Sequence, residues 1–486
     1  MASSQKVSII TLGCPKNTSD TANLARLLKA RGHEIVADAA EADAIVVHTC
    51  SFIEAAKKES INTILQAGKL KGDSKKLIVT GCLIQQHGED IFKEMPEVDA
   101  FLGTGQLAQV ADILERPRTR FMDRANPGGF MDPDIAPLPL AGRGKGEGAG
   151  SSAILRLSEG CSHPCSFCVI PRLRGPVQSR SAETILREAR ELAAQGVKEF
   201  SVIAQDTGDW GRDFRLSSSP VASSRGSMGS PPTTAGNDVK GPAGDDVKRK
   251  LPSLLRSIAA ISGVRWIRLM YMHPASFTDE LLSVLAEQPD KFPYLDMPLQ
   301  HIDSKVLAEM KRKTDEAGLR ALLDRIRAKA PALALRTTFI VGFPGETAAQ
   351  FKRLVSFIEE GHFDYLGAFA YSKEEGTPAA RRNDRISAKV KADRLAILTN
   401  AYYEVAHAKA QKRIGTTEAV ILEDTEGDTV VGRTRREAPE IDAIVRLPQT
   451  AARRASLADR RASRDGRFIN AKLTGYDAYE YSAVPA

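Results

Sequence analysis

The segment GCSHPCSFCVIPRLRG carries Cys161, Cys165 and Cys168 in a C-x3-C-x2-C spacing. Three thiols so close together in a long chain point to metal ligation rather than to disulfides. A structural zinc ion would need a fourth ligand, and His163 is the candidate at hand. A four-iron cluster held by three thiolates would instead keep one iron open to a small molecule. Cys14, Cys50 and Cys82 complete the chain's six cysteines. They lack compact spacing and read either as buried structural residues or as a second triad. The open iron of a second cluster would suit a soft exogenous sulfur.

The elements around these residues decide what can meet. VSIITLGC, ADAIVVHTC and KLIVTGC are short apolar, β-branched runs that end at Cys14, Cys50 and Cys82. Amphipathic helical patterns follow the first two, which predicts an α/β domain with a parallel sheet over residues 5–120. Its carboxyl edge is where ligands bind in such sheets, so the three cysteines can meet there. Residues 121–152 are expected to form a linker, with a Pro/Gly-rich stretch from 132. Residues 153–400 alternate strand and helix for about six rounds, the pattern of a partial (βα)6 barrel. A Ser/Gly/Pro-biased insertion at 215–246 interrupts it and reads as disordered. Residues 413–486 predict a small antiparallel β domain, with a basic insertion at 449–466.

Composition narrows the class. A hydrophobic share of 42% and a charged share of 27% are those of a globular protein. No apolar run reaches the roughly 18 residues of a membrane span, and MASSQKVSII lacks a secretory apolar core. A cytoplasmic protein without a membrane partner is expected. The net charge of +7 admits an anionic partner without requiring one.

The C-x3-C-x2-C spacing at the end of a first barrel strand, with Phe167 before the last cysteine, resembles the radical S-adenosylmethionine (SAM) superfamily. The resemblance implies that SAM chelates the open iron of a [4Fe–4S] cluster at Cys161, Cys165 and Cys168. An electron then cleaves its sulfonium and releases a 5′-deoxyadenosyl radical. VGFPGET closes a strand and opens a helix, and Gly342 and Gly345 would let backbone approach a ligand closely. In the superfamily a comparable segment lies against the SAM adenine and ribose. Gln205 and Asp206 end the second barrel strand, Gln300 and His301 end the fourth and Arg336 starts the fifth, all as candidate contacts to SAM or substrate. No side-chain acid or base is expected.

The whole chain is similar to the methylthiotransferases, which join an N-terminal cluster domain, a radical SAM barrel and a C-terminal OB-like TRAM domain. TLGCPKNTSD, FAYSKEEGTPAA and GRTRREAPEIDA resemble the RimO branch; the tRNA-modifying MiaB branch has a Gln-Met-Asn version of the first. That branch implies methylthiolation of the β-carbon of an aspartate in ribosomal protein uS12. One SAM would methylate sulfur carried at a second [4Fe–4S] cluster on Cys14, Cys50 and Cys82, and a second SAM would supply the radical. A sulfur donor and a reducing partner such as flavodoxin or ferredoxin are implied as well. One departure is His48, where the family's Asn-Thr-Cys has asparagine; it reads as variation outside the reacting centre, with access to the sulfur-carrying iron as the effect it could have.

Charge separates protein from RNA as substrate. Residues 413–486 hold twelve Lys/Arg and twelve Asp/Glu, and the insertion at 449–466 takes five and two of them. The remaining β core, seven against ten, is net −3 and suits a basic ribosomal protein better than tRNA. Direct nucleic-acid contact by the inserted arginines stays open. Two other readings stand beside this one: a tRNA-directed enzyme of the same chemistry, and a non-enzymatic iron–sulfur or zinc module in ribosome assembly.

Overall fold

The β-branched runs become strands where their alternation with helical patterns predicts them. The computed structural model describes residues 4–72, 74–117, 119–124, 151–215, 250–452 and 468–486. Most of the expected linker and both insertions therefore lie outside the described residues.

The first sheet contains β1 (Lys6–Thr11), β2 (Glu34–Ile35), β3 (Ala44–Thr49), β4 (Lys76–Gly81), β5 (Ala100–Leu102) and β6 (Phe121–Asp123). Its order is β2-β1-β3-β4-β5-β6 and every pair is parallel. Central β3 is buried along its whole length, as a strand covered by helices on both faces must be. Register sets Thr11 opposite His48 and Thr49 opposite Gly81, so the three cysteine-bearing ends finish level. Helices α1 (Pro15–Ala30), α2 (Glu54–Lys71) and α3 (Cys82–Glu94) leave from that edge. The sheet reaches three residues into the segment read as a linker. Phe121 pairs with Ala100, and Arg120 lies over the Phe92 ring at 3.9 Å, contacts that no local periodicity announces.

The last helix of this domain is α4 (Gln109–Glu115). The second sheet begins at β7 (Ser152–Arg156). A short antiparallel pair, β8 (Ser158–Glu159) and β9 (Gln178–Ser179), brackets the cysteine loop and α5 (Ile170–Arg174). Next come β10 (Glu199–Ile203), β11 (Trp266–Leu269), β12 (Tyr294–Asp296), β13 (Ala334–Val341) and β14 (Tyr365–Ala370). The order β7-β10-β11-β12-β13-β14 is sequential and all parallel, the open six-stranded barrel that the sequence predicts. Its outer helices share one continuous apolar core with the strands.

A helix over Ala388–Gln411 leads into the third unit. There β15 (Thr417–Glu426), β16 (Thr429–Thr434), β17 (Ile444–Pro448), β18 (Phe468–Asp477) and β19 (Glu480–Pro485) close a small barrel. It is antiparallel except at β17 and β19, which pair in parallel to complete the closure. Its GRTRREAPEIDA loop plugs the amino-terminal mouth of the larger barrel. Arg433 and Arg268 both bind the fully buried Glu199 carboxylate, Tyr365 donates to Glu437 at 2.8 Å, and Tyr294 to Asp442 at 2.6 Å. No helix among the described residues is long and apolar enough to cross a membrane.

Burial opposes ionisation of Glu199, but Arg268 and Arg433 hold its carboxyl down at about 2. Its stabilising contribution is therefore complete above the ordinary glutamate value of 4.5 and is lost as pH falls from there toward 2. Glu199→Ala leaves two buried guanidinium groups short of a carboxylate and should cost about 3–5 kcal/mol. Denaturant titration of the cluster-free chain at pH 7 measures that loss, and the variant should lose less stability than the wild type between pH 4.5 and 2, since Glu159 and Glu437, also held near 2, keep their share.

Candidate metal centres

Glycine before cysteine is the local device. Gly13, Gly81 and Gly160 each precede a cysteine, and each has a positive φ. A Cβ on Gly13 would stand 2.5 Å from the Cys50 Cβ, and one on Gly81 2.6 Å from the Thr49 carbonyl oxygen. The strand ends are therefore packed too tightly for any side chain at these two positions. Cys14 caps α1 and Cys82 opens α3, so both thiols lie at helix amino termini. Cys14 is exposed, whereas Cys50 and Cys82 are buried. Burial pushes the Cys50 thiol up to about 12, and the charges of Cys82 and Cys14 add to the shift. Cys82 is likewise raised by burial and feels Cys14. The three residues, far apart in sequence, thus converge.

The second loop is held from several sides. The Cys161 amide donates to the Gly175 carbonyl at 3.0 Å, and Ser166 ties the loop to Met310, Glu309 and Ala379. Burial raises Cys161 to about 11 and Cys168 to about 12. Arg312 directs Nη1 at the Cys165 sulfur, 3.7 Å away. Thiols this reluctant to ionise need a bound cation to become ligands.

A zinc ion would need a fourth protein ligand beside either triad. His163, the candidate fourth zinc ligand, instead meets Asp206 at 2.7 Å. His163, Asp206 and His273 do cluster, but the two imidazoles stack at 4.2 Å with planes 10° apart. In-plane lone pairs of parallel rings cannot converge on one ion, so this group is a hydrogen-bonded brace.

That brace revises the expectation for Asp206. It is buried and accepts from His163, from Ser276 Oγ at 2.6 Å, and from the amides of His273 and Gly208. Burial opposes its ionisation, yet the bonds from His163 and Ser276 hold it below the usual aspartate range. It supports the cysteine loop and has no oxygen to spare for SAM. Arg336 is also committed, to Asp296 at 3.0 Å and Asp442 at 3.7 Å inside the barrel. Gln205 donates to Glu159 at 2.8 Å. Gln300 lies four residues past β12 with φ +72, a strained backbone at the barrel's carboxyl edge. Gly342 (φ +72) and Gly345 (φ +93) form a turn wound around the Glu346 carboxylate, which accepts the Gly342 and Phe343 amides. His301 lies buried beside Glu346 at 4.0 Å, so it buttresses that turn.

Between the two triads lies a group of residues that sequence reading did not single out. Lys16, Asp20, Arg156, Glu159 and Arg174 are all buried. Lys16 meets Glu159 at 3.2 Å, Arg174 meets Glu159 at 3.0 Å and Asp20 at 3.1 Å, and Arg156 meets both acids. Burial works against the Glu159 charge, but Lys16, Arg174 and Arg156 keep its carboxyl at about 2. Burial brings Lys16 down to about 8. Arg174 Nη2 also lies 3.7 Å from Cys82 Sγ, and Val169 and Leu173 pack on Cys82. Short α5 thus runs from Cys168 of one triad to Cys82 of the other. The thrice-repeated Gly-Cys and the arginine closing IPRLRG were the available signals.

Gly160 gives a direct test of the barrel centre. A Cβ there would sit 2.0 Å from the Pro176 carbonyl oxygen, a collision of backbone with backbone. Gly160→Ala should abolish iron binding at Cys161, Cys165 and Cys168 and the reductive formation of 5′-deoxyadenosine, read by iron assay and chromatography.

Family models match in chain order: "Uncharacterized protein family UPF0004" over residues 6–103, the radical SAM superfamily over 155–358 and the TRAM domain over 414–485. A Geobacter sulfurreducens protein named ribosomal protein uS12 methylthiotransferase RimO is 41% identical over 450 residues, 91% of this chain and 92% of its own. One of the same name from Desulfitobacterium hafniense is 37% identical over 98% of this chain and 97% of its own. Among solved structures, the radical SAM methyltransferase TsrM from Kitasatospora setae, with tryptophan and a SAM analogue bound, superposes with a TM-score of 0.52. Its identity is 13%, covering 83% of this chain and 89% of that one, a likeness of fold alone. With three domains in the same order and this identity over nearly its whole length, the chain belongs to the RimO family of radical SAM methylthiotransferases.

Proposed function

We propose that this enzyme methylthiolates the β-carbon of an aspartate in ribosomal protein uS12, with one [4Fe–4S] cluster on Cys161, Cys165 and Cys168 and a second on Cys14, Cys50 and Cys82. The observation that carries the two-centre reading is the α5 bridge, which sets two cysteine triads on either side of one buried ion network. SAM and the barrel cluster supply the radical chemistry when bound.

The chain's own residues do the positioning. Gly160 and the Ser166 contacts fix the barrel loop, while Asp206 braces it through His163. The turn at Gly342 and Gly345 is rigid before any ligand arrives, because Glu346 already occupies its amides. Any contact it makes to SAM therefore uses its carbonyls and apolar surface. Exposed Cys14 leaves one side of the N-terminal triad open to an incoming sulfur donor, with Cys50 and Cys82 buried behind it. The TRAM loop closes the opposite mouth of the barrel against water. An electron carrier such as flavodoxin or ferredoxin would serve the barrel centre.

Protein is favoured over tRNA because the arginines of the described TRAM unit are already engaged. Arg413 pairs with Glu418 and Glu437, Arg433 with Glu199, Arg435 with Asp290, Arg436 with Asp364 and Arg446 with Glu480. Little cationic surface is left there to neutralise phosphates. Mass spectrometry of uS12 and of bulk tRNA from a deletion strain tests the substrate. The methylthio group should vanish from uS12, and its loss from tRNA alone would reject the reading. Iron and sulfide assays test the centres: about eight irons per reconstituted chain should fall to about four in a Cys14/Cys50/Cys82→Ala variant.

A further inference from the structure

Among the described residues of the ion network between the triads, cations outnumber acids: Lys16, Arg156 and Arg174 stand against Asp20 and Glu159, all buried. Buried cations are stabilised by any negative charge that forms beside them. Arg174 is the cation aimed out of the network. Asp20, Glu159 and Asn17, at 2.8 Å, hold its guanidinium, and Nη2 reaches Cys82 Sγ at 3.7 Å. The opposite triad offers a comparison: Arg312 stands at the same 3.7 Å from Cys165, but it is only partly buried. Solvent screens a partly exposed charge far more than a buried one.

Hydrogen bonds to cluster sulfurs and nearby positive charge favour the reduced, more negative state of an iron–sulfur centre. We propose that Arg174 is a positioning residue that holds the N-terminal centre at a higher reduction potential than the barrel centre, through its N–H···S contact to Cys82 and the network's surplus charge. The proposal rests on the second cluster read above. It gives the two centres different electrostatic surroundings, although both have three thiolates and one guanidinium at equal range.

The test uses the full-length chain, anaerobically reconstituted, with Cys161, Cys165 and Cys168 changed to alanine so that only the N-terminal centre is read. An EPR-monitored redox titration gives its midpoint. Arg174→Gln, which removes the surplus charge, should make reduction at least tenfold less favourable, a downward shift of about 59 mV for a one-electron couple. Asp20→Asn, which enlarges the surplus, should shift the midpoint upward. A merely structural network would move both variants the same way or neither, and either result overturns the proposal. If Arg174→Gln fails to hold the centre, the sign for Asp20→Asn decides alone: upward supports it, and unchanged or downward overturns it. Absence of any centre at the N-terminal triad, with Arg174 and Asp20 intact, would sink the two-cluster reading and this inference with it. A centre present but with unshifted variants sinks only the inference.

Discussion

Five buried charges where the N-terminal sheet meets the barrel fix the distance between the two cysteine triads. They come from three separated pieces of chain: Lys16 and Asp20 on α1, Arg156 at the end of β7 with Glu159 closing β8, and Arg174 at the end of α5. Such a network is a poor source of stability compared with an apolar core of the same volume. Its value is geometric. Apolar surfaces can slide over one another, but each of these carboxylates is satisfied only when both arginines reach it. The same constraint determines where Cys82 stands relative to Cys168, since α5 connects the two.

The other joints use the same physics. At the amino-terminal mouth of the barrel, Glu199 takes one arginine from β11 and one from the TRAM unit, residues 234 apart in sequence in the second case. Near the cysteine loop, Glu374 accepts from Lys57 at 2.7 Å, and Gly376, at φ +79, lies against the Arg172 guanidinium. FAYSKEEGTPAA and GRTRREAPEIDA, the motifs that mark the branch, are therefore docking segments. They hold three domains in one arrangement and carry none of the cluster ligands.

This explains which features are legible in sequence. The strands, the cysteines at their carboxyl ends and the order of domains are local signals of period, β-branching and glycine. The ion pairs are not local. Asp206, just past the end of β10, is a natural ligand candidate because polar residues at the carboxyl ends of barrel strands usually face the site, whereas Arg336 stands near the start of β13, at the opposite mouth. Here they face His163 and Asp442 respectively, partners 43 and 106 positions away in the chain. β6 was hidden for a related reason: three residues are too few for any period to register. The parallel pairing of β17 with β19 depends on barrel closure, which no single strand encodes.

His48 shows how a departure from the family pattern can be absorbed without touching the chemistry. It stands in the middle of the sheet, opposite Thr11 on one side and Thr80 on the other, with 1% of its side chain exposed. Its Nε2 lies 3.5 Å from Asp20, the acid that Arg156 and Arg174 already share. The ring therefore meets the ion network that lies between the two triads. A larger side chain is tolerated at this position because the space it enters is bounded by a carboxylate that can meet an imidazole. Through Asp20 it stands one residue removed from Arg174, the guanidinium that reaches Cys82.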